Sequence, residues 1–142
     1  LTEACCLTDT DYNSVTEKSY GEIMDKLKAL CPCPSVTGCD ETKGGRTESA
    51  VYYTDRSGAV KRYATEKIEG AFHGAGDVYV SALVGALARG IALDTAVAIA
   101  AEFTKDSITR TALDKTEARY GLNSESQMYS YLCALEKAAK RA

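Results

Sequence analysis

An α/β fold is what the sequence predicts, and three observations carry the prediction. Tyr20, Ile23, Met24, Leu27 and Leu30 recur at helical spacing in the first third of the chain. Two runs rich in Val, Tyr and Thr, Ser49–Thr54 and Ala59–Thr65, flank the turn residues Asp55 to Gly58 and read as a hairpin. From Gly76 onward the pattern is helical. A strand-rich middle between helices is an α/β layout.

Taken in order, Leu1 to Leu7 is apolar apart from Thr2 and Glu3, and fits either a strand end or a helix. Thr8 to Ser14 is polar and turn-like. A helix follows over Val15–Leu30, and the two prolines of Cys31-Pro-Cys-Pro stop it. Ser35–Cys39 reads as a short buried strand. Asp40–Thr47, which contains Gly44-Gly45, reads as a polar, mobile loop before the hairpin. One helix then runs from Gly76 to Arg89 with Gly90 at its C-cap. Asp94 is expected to N-cap a second helix over Thr95–Arg110. A last amphipathic helix, capped near Ser124, carries Met128, Tyr131, Leu132 and Leu135 on one face. No repeat interrupts this order, so residues 1–142 are expected to form a single domain.

Composition narrows the function. The chain has 142 residues, 45% of them apolar and 26% charged, as in an ordinary soluble globule. A formal net charge of −3 argues against a nucleic-acid surface. No apolar stretch approaches the roughly 20 residues of a membrane span. Six cysteines, at 5, 6, 31, 33, 39 and 133, include no pair of C-x-x-C knuckles, and His73 is the only histidine, so a structural zinc site is not expected. Reduced thiols in a cytoplasmic protein are the expectation. The chain opens on Leu rather than Met and shows no signal-peptide pattern, so it reads as part of a longer polypeptide.

The stretch from Gly70 to Gly90, GAFHGAGDVYVSALVGALARG, carries the chemistry. Small residues before a helix allow another group to approach the backbone closely. The first amides of a helix lack intrahelical partners and carry the positive end of its dipole, which together favour an anion such as phosphate. A carboxylate there, Asp77, would repel phosphate unless its task is to take a proton, for example from a hydroxyl attacking phosphorus. The plainer alternative is that Asp77 only caps the helix. His73 precedes this segment and is expected to be a structural neighbour.

FHGAGDVYVSALVGALARG, followed by AVAIAAEFTKDSITRT, resembles the C-terminal half of a ribokinase-like vitamin kinase, nearest to the bacterial pyridoxal/pyridoxamine kinases. Gly74, Ala75, Gly76 and Asp77 match that family's G-[TA]-G-D signature. The resemblance implies that the Gly74–Gly76 amides form an anion hole for the transferring phosphoryl group and that Asp77 activates a primary hydroxyl. LTEACCL resembles the family's N-L-T-E-A segment, which implies that Glu3 helps hold magnesium, directly or through water. The Asn of that segment would precede Leu1. SVTGCD resembles the family's V-[TV]-[TS]-G strand end, implying that Thr37 and Gly38 touch the ATP phosphates.

The resemblance runs from Thr2 to about Tyr131 but spans only about half of the family's fold. It implies a three-layer α/β architecture, C-terminal half only, with part of the central sheet and flanking helices. It also implies Mg-ATP as phosphoryl donor and the hydroxymethyl group of a pyridoxal-type ring as acceptor. A hydroxymethylpyrimidine kinase of the same superfamily and a non-catalytic truncated homologue are the alternatives. A sheet edge left unpaired in a half-fold invites association, so a homodimer is expected.

Overall fold

A computed structural model describes residues 1–115 and 120–140. The chain divides into two compact units, Leu1–Glu66 and Lys67–Ala142. The predicted mixture of strands and helices is present, with the strands confined to the first unit and three long helices in the second.

In the first unit, α1 (Thr2–Leu7) and α2 (Ser19–Lys28) precede an antiparallel meander of β1 (Ser35–Lys43), β2 (Arg46–Thr54) and β3 (Val60–Glu66). Leu1 to Leu7 therefore resolves as helix. The helix expected over Val15–Leu30 is shorter at both ends. Val15 is extended, and the Thr16 amide donates to Ser19 Oγ at 3.1 Å, closing a local turn before α2. At the far end Leu30 is exposed and lies outside the helix. Tyr20, Ile23, Met24 and Leu27 do share one buried face, packed with Ala4, Cys5, Val36, Cys39 and Ala50 in a single core.

The segment expected as a mobile loop is instead a second hairpin. β1 continues to Lys43, which pairs with Arg46 across Gly44-Gly45. Both glycines have positive φ, 59° and 80°, as the commonest two-residue hairpin turn requires. Glu41 hid this strand, because a carboxylate breaks the apolar alternation, yet its side chain is only 2% exposed. Three strands supply its partners. Arg62 of β3 donates Nε to both Glu41 oxygens at 3.1 Å, Tyr52 of β2 donates its hydroxyl, and Lys43 approaches at 2.8 Å. Burial pushes the Glu41 carboxyl up, but the hydrogen bonds from Arg62, Lys43 and Tyr52 outweigh it and hold the pKa at about 2. Burial and the Glu41 bond push the Tyr52 phenol up to about 12.

The second unit is built on α3 (Ala75–Ala88), α4 (Leu93–Asp114) and α5 (Met128–Ala139). α3 ends as expected around Gly90. The Gly90 amide donates to Leu87 O at 2.9 Å and the Ile91 amide to Ala86 O at 3.3 Å, the paired bonds of a Schellman motif. Ala82 and Ala86 of α3 and Ala96 and Ala100 of α4 are all buried, and these small side chains let the two helices approach closely. Two expected caps are corrected. The N-cap of α4 is Ala92, with Asp94 inside the first turn as a dipole-matching acid. Ser124 makes no side-chain cap bond and precedes a 3-10 turn, Glu125–Gln127, that leads into α5. Among the described residues no helix is long and apolar enough to cross a membrane. The six cysteines are free; Cys5 and Cys39 are buried, and Cys6, Cys31 and Cys33 are exposed.

Tyr131 joins α5 to α3. Its hydroxyl donates to Ala82 O at 2.7 Å, and its ring stacks on Phe103 at 4.7 Å between centroids. A Cβ added at Gly85 would lie 2.8 Å from that hydroxyl oxygen, so the glycine makes room for the tyrosine.

Two predictions follow from these contacts. Glu41 has a folded pKa below its ordinary value of 4.5, so its contribution is present above that pH and is lost as pH falls towards 2. Glu41→Gln should cost about 1.5–3 kcal/mol at neutral pH, because it weakens the charge-assisted hydrogen bonds at a buried carboxylate, while Arg62 stays 32% exposed and keeps its pair with Glu48. It should also flatten the acid limb of the stability profile between those pH values, measured by urea unfolding. Gly85→Ala should cost about 1–3 kcal/mol through overpacking. In a Tyr131→Phe background the same change should cost markedly less, a coupling that a double-mutant cycle reads directly.

Candidate functional site

The second unit holds Gly74, Ala75, Gly76 and Asp77 at the mouth of α3. Gly74 is the N-cap, with φ 83° in the left-handed region, and its carbonyl accepts the first intrahelical bond, from the Val78 amide at 3.0 Å. A residue with a side chain would be strained at this φ. The amides of Ala75, Gly76 and Asp77 precede that first bond, so helix geometry leaves them without intrahelical acceptors. The amide of Gly74, the N-cap, likewise has no intrahelical acceptor, so the Gly74–Gly76 amides expected from the sequence all lie at this mouth, joined by that of Asp77. Gly76 differs from Gly74. It has no positive φ, and a Cβ added there would meet nothing within 4 Å. Neither backbone conformation nor packing requires glycine at that position, although glycine costs up to about 1 kcal/mol relative to alanine in a helix.

Asp77 is exposed and sits in the first turn of α3 without capping it. Among the described residues it has no hydrogen-bond or ion-pair partner. Two clefts adjoin this mouth. One, of about 340 Å³, is lined by Asp77, Val78, Ser81 and Ala82 of α3 with Phe103, Ser124, Met128 and Tyr131. The other, of about 310 Å³, runs along Glu69 to His73 and includes Thr111, Lys115 and Gly121. His73 thus lines a cleft next to the helix mouth. Sequence reasoning missed Met128, Tyr131, Thr111 and Lys115 as lining residues. They meet the mouth only through helix packing, and no local motif marks them.

The first unit holds Glu3, Thr37 and Gly38. Glu3 lies in the first turn of α1 with its side chain 90% exposed. The Leu1 nitrogen lies 3.8 Å from Glu3 Oε2 and donates to Thr37 O at 2.8 Å, so the structure brings Glu3 and Thr37 to one place. Thr37-Gly38 is not a strand end. It is a bulge inside β1, where the pairing shifts between Val36 and Cys39 and Gly38 adopts φ 74°. Bulges of this kind re-aim side chains and concentrate beside functional sites. The Thr37 hydroxyl has no partner among the described residues. No group of three His, Cys, Asp or Glu side chains able to hold a metal occurs among the described residues. Glu3 alone offers one exposed hard oxygen, a donor that suits a magnesium ion retaining most of its waters.

A left-handed glycine followed by free first-turn amides makes a helix mouth that suits an anion such as phosphate. A family model described as phosphomethylpyrimidine kinase matches residues 1–122, and the chain belongs to that family. Among curated proteins no significant match is found. Solved structures share the fold at low identity. Pyridoxal kinase from Lactobacillus plantarum superposes with a TM-score of 0.73 at 22% identity over 96% of this chain and 48% of its own. A Bacteroides thetaiotaomicron protein titled "putative phosphomethylpyrimidine kinase", crystallised with pyridoxal, gives a TM-score of 0.77 at 21% identity, over 92% of this chain and 46% of its own. The chain therefore spans about half the length of the solved proteins it resembles.

Gly76→Ala separates the two uses of that glycine. With open space around the new Cβ, the melting temperature should hold or rise, by up to the equivalent of about 1 kcal/mol. Affinity for ATP, measured by calorimetry on the protein containing this chain, should fall. A variant that is destabilised, or that binds ATP unchanged, would make Gly76 an ordinary turn residue.

Proposed function

We propose that this chain is the phosphate-handling part of an ATP-dependent kinase that phosphorylates the hydroxymethyl group of a pyridoxal-type vitamin. The observation that carries the reading is Gly76, a glycine with no structural need for it, set between a left-handed Gly74 and an unpartnered Asp77. Its missing side chain keeps the Ala75–Asp77 amides open to a tetrahedral anion.

In this reading the amides at the start of α3, Gly74 to Gly76 and that of Asp77, donate to the oxygens of the phosphoryl group in flight. The dipole of a helix 14 residues long adds to their attraction. The Asp77 carboxylate accepts the proton of the attacking hydroxyl. General-base help of this kind contributes roughly 10²–10⁴-fold to rate. Positioning and charge neutralisation supply most of the rest. Glu3 would hold magnesium, whose chemistry when bound is to neutralise charge on the ATP phosphates. Thr37, with its free hydroxyl on the β1 bulge, and Gly38 would contact those phosphates. We assign residues 1–142 to one partial domain in a cytoplasmic enzyme that works as a homodimer.

A second acceptor, hydroxymethylpyrimidine or its phosphate, is favoured by the description of the matching family model. Pyridoxal and hydroxymethylpyrimidine both present a primary hydroxymethyl group, so the chemistry assigned to Asp77 is the same for either; in the pyrimidine's phosphate that oxygen is already esterified, and a phosphate oxygen would attack without a hydroxyl proton to remove.

Asp77→Asn keeps size and removes the proton acceptor. Turnover, read as acceptor-dependent ADP release by the protein containing this chain, should fall about 10²-fold or more with ATP affinity little changed. Because Asp77 makes no cap bond, Asp77→Ala should lose the same activity and no more than about 1 kcal/mol of stability, the helix-dipole contribution. Near-normal turnover in Asp77→Asn would return Asp77 to a purely structural role. Running wild type on pyridoxal and on hydroxymethylpyrimidine decides between the acceptors.

A further inference from the structure

Cys31-Pro-Cys-Pro, which stops α2, leaves two thiols at the surface two residues apart. Cys31 and Cys33 are free and exposed, and neither thiol has a partner among the described residues. The backbone on either side of them is held. The Cys31 amide donates to Leu27 O at 2.9 Å, closing the end of α2, and Pro34 O accepts from the Thr54 amide of β2 at 3.0 Å. Pro32 and Pro34 have no amide hydrogen to donate, and residues 31–34 stay outside both α2 and β1. Between the two anchors the chain bends at Pro32 and Cys33. All of these contacts lie within the first unit.

A disulfide joins Cα atoms about 4.4–6.8 Å apart. Two fully extended residues span at most about 7 Å, and the fixed φ of Pro32 together with the bend brings Cys31 and Cys33 inside that range. No third His, Cys, Asp or Glu side chain joins the pair among the described residues, so it lacks the four donors of a zinc site. The other cysteines offer no such pair. Cys5 and Cys39 share the buried core, where burial pushes the Cys39 thiol up to about 12 and keeps it unreactive. Cys6 is exposed, but its neighbour Cys5 is buried.

We propose that Cys31 and Cys33 form a reversible redox site that closes to an intramolecular disulfide on reaction with a low-molecular-weight disulfide of the oxidised-glutathione class. The thiolate of one cysteine attacks a sulfur of that disulfide. Its S–S bond breaks, and one glutathione leaves as thiolate and takes up the proton that the cysteine lost. The second cysteine then attacks the sulfur of the first and expels the other glutathione in the same way. Two protein thiols are oxidised to one disulfide, and one glutathione disulfide is reduced to two thiols. The ring so formed holds a single residue between its cysteines and faces solvent. Strained or exposed disulfides are the readily reduced ones, so the site reopens when thiol is in excess.

Peptide mass spectrometry of the protein containing this chain tests the proposal. The reduced, folded protein is incubated with oxidised glutathione, then quenched with an alkylating agent in denaturant and digested with trypsin. Cleavage after Lys28 and Lys43 gives one peptide, residues 29–43, that carries Cys31, Cys33 and Cys39. It should be two hydrogen atoms lighter, with fragment ions placing the bond between Cys31 and Cys33 and with Cys39 alkylated. Dithiothreitol added before the quench should reverse the change. In Cys33→Ser the remaining Cys31 should stop at the glutathione adduct, and Cys33 should do the same in Cys31→Ser. Each adduct should be at least about tenfold more abundant than in wild type, where the second thiol sits at high effective concentration. Both serines replace exposed side chains, so the fold is retained. Cys31 and Cys33 both found alkylated would overturn the proposal. So would adducts equally abundant in wild type and single variants, or bonds from either cysteine to Cys6, Cys39 or a second chain. The readout does not involve phosphoryl transfer, so failure here and failure of the kinase reading are separable.

Discussion

A helix that starts on a left-handed glycine turns its first amides away from the incoming chain, and the candidate site depends on that constraint. Gly74 sets the turn, its carbonyl closes the first hydrogen bond with Val78, and the amides of Ala75 to Asp77 are left to find partners outside the helix. Side chains would ordinarily crowd such a mouth. Here the sequence removes them at Gly74 and Gly76 and leaves Asp77 without a partner. The other helices of the second unit pack on α3. Small residues seat α3 against α4, and the Tyr131 hydroxyl fastens α5 to the carbonyl of Ala82.

The first unit solves a different problem. Its core is small, and its sheet has only three strands, each tied to the others through one buried carboxylate. Glu41 takes hydrogen bonds from Lys43 on its own strand, from Tyr52 on the next and from Arg62 on the third. A buried charge of this kind adds less to stability than an apolar residue of the same volume would, but removing one partner is costly. It links all three strands of the meander, and further along β1 the Thr37-Gly38 bulge lies beside the start of α1, where Thr37 O accepts from the Leu1 nitrogen.

Much of this was legible in residues that act locally. The Val, Tyr and Thr runs around Asp55–Gly58 gave the β2–β3 hairpin, and the Gly90 signal gave the end of α3. The start of α3 could be read from the small residues before it, whereas the phosphate role given to Gly74–Asp77 came from the family resemblance. What was not legible depends on long-range partners. Asp40–Thr47 looked like a loop because nothing local reveals that Glu41 will find Arg62, 21 residues away. The Gly44-Gly45 pair was itself a hairpin signal that the charged flanks obscured. Gly85 carries no visible reason until Tyr131 packs against it. Asp94 looked like a cap by residue type, but the chain enters α4 two residues earlier, at Ala92.

The claim that the α3 mouth binds phosphate is tested most directly by observing its amides. In ¹⁵N-labelled protein, titration with ATP should shift the backbone amide resonances of Ala75, Gly76 and Asp77 more than those elsewhere in α3, with saturation. Unmoved resonances for these three, while ATP binds elsewhere on the chain, would contradict the account.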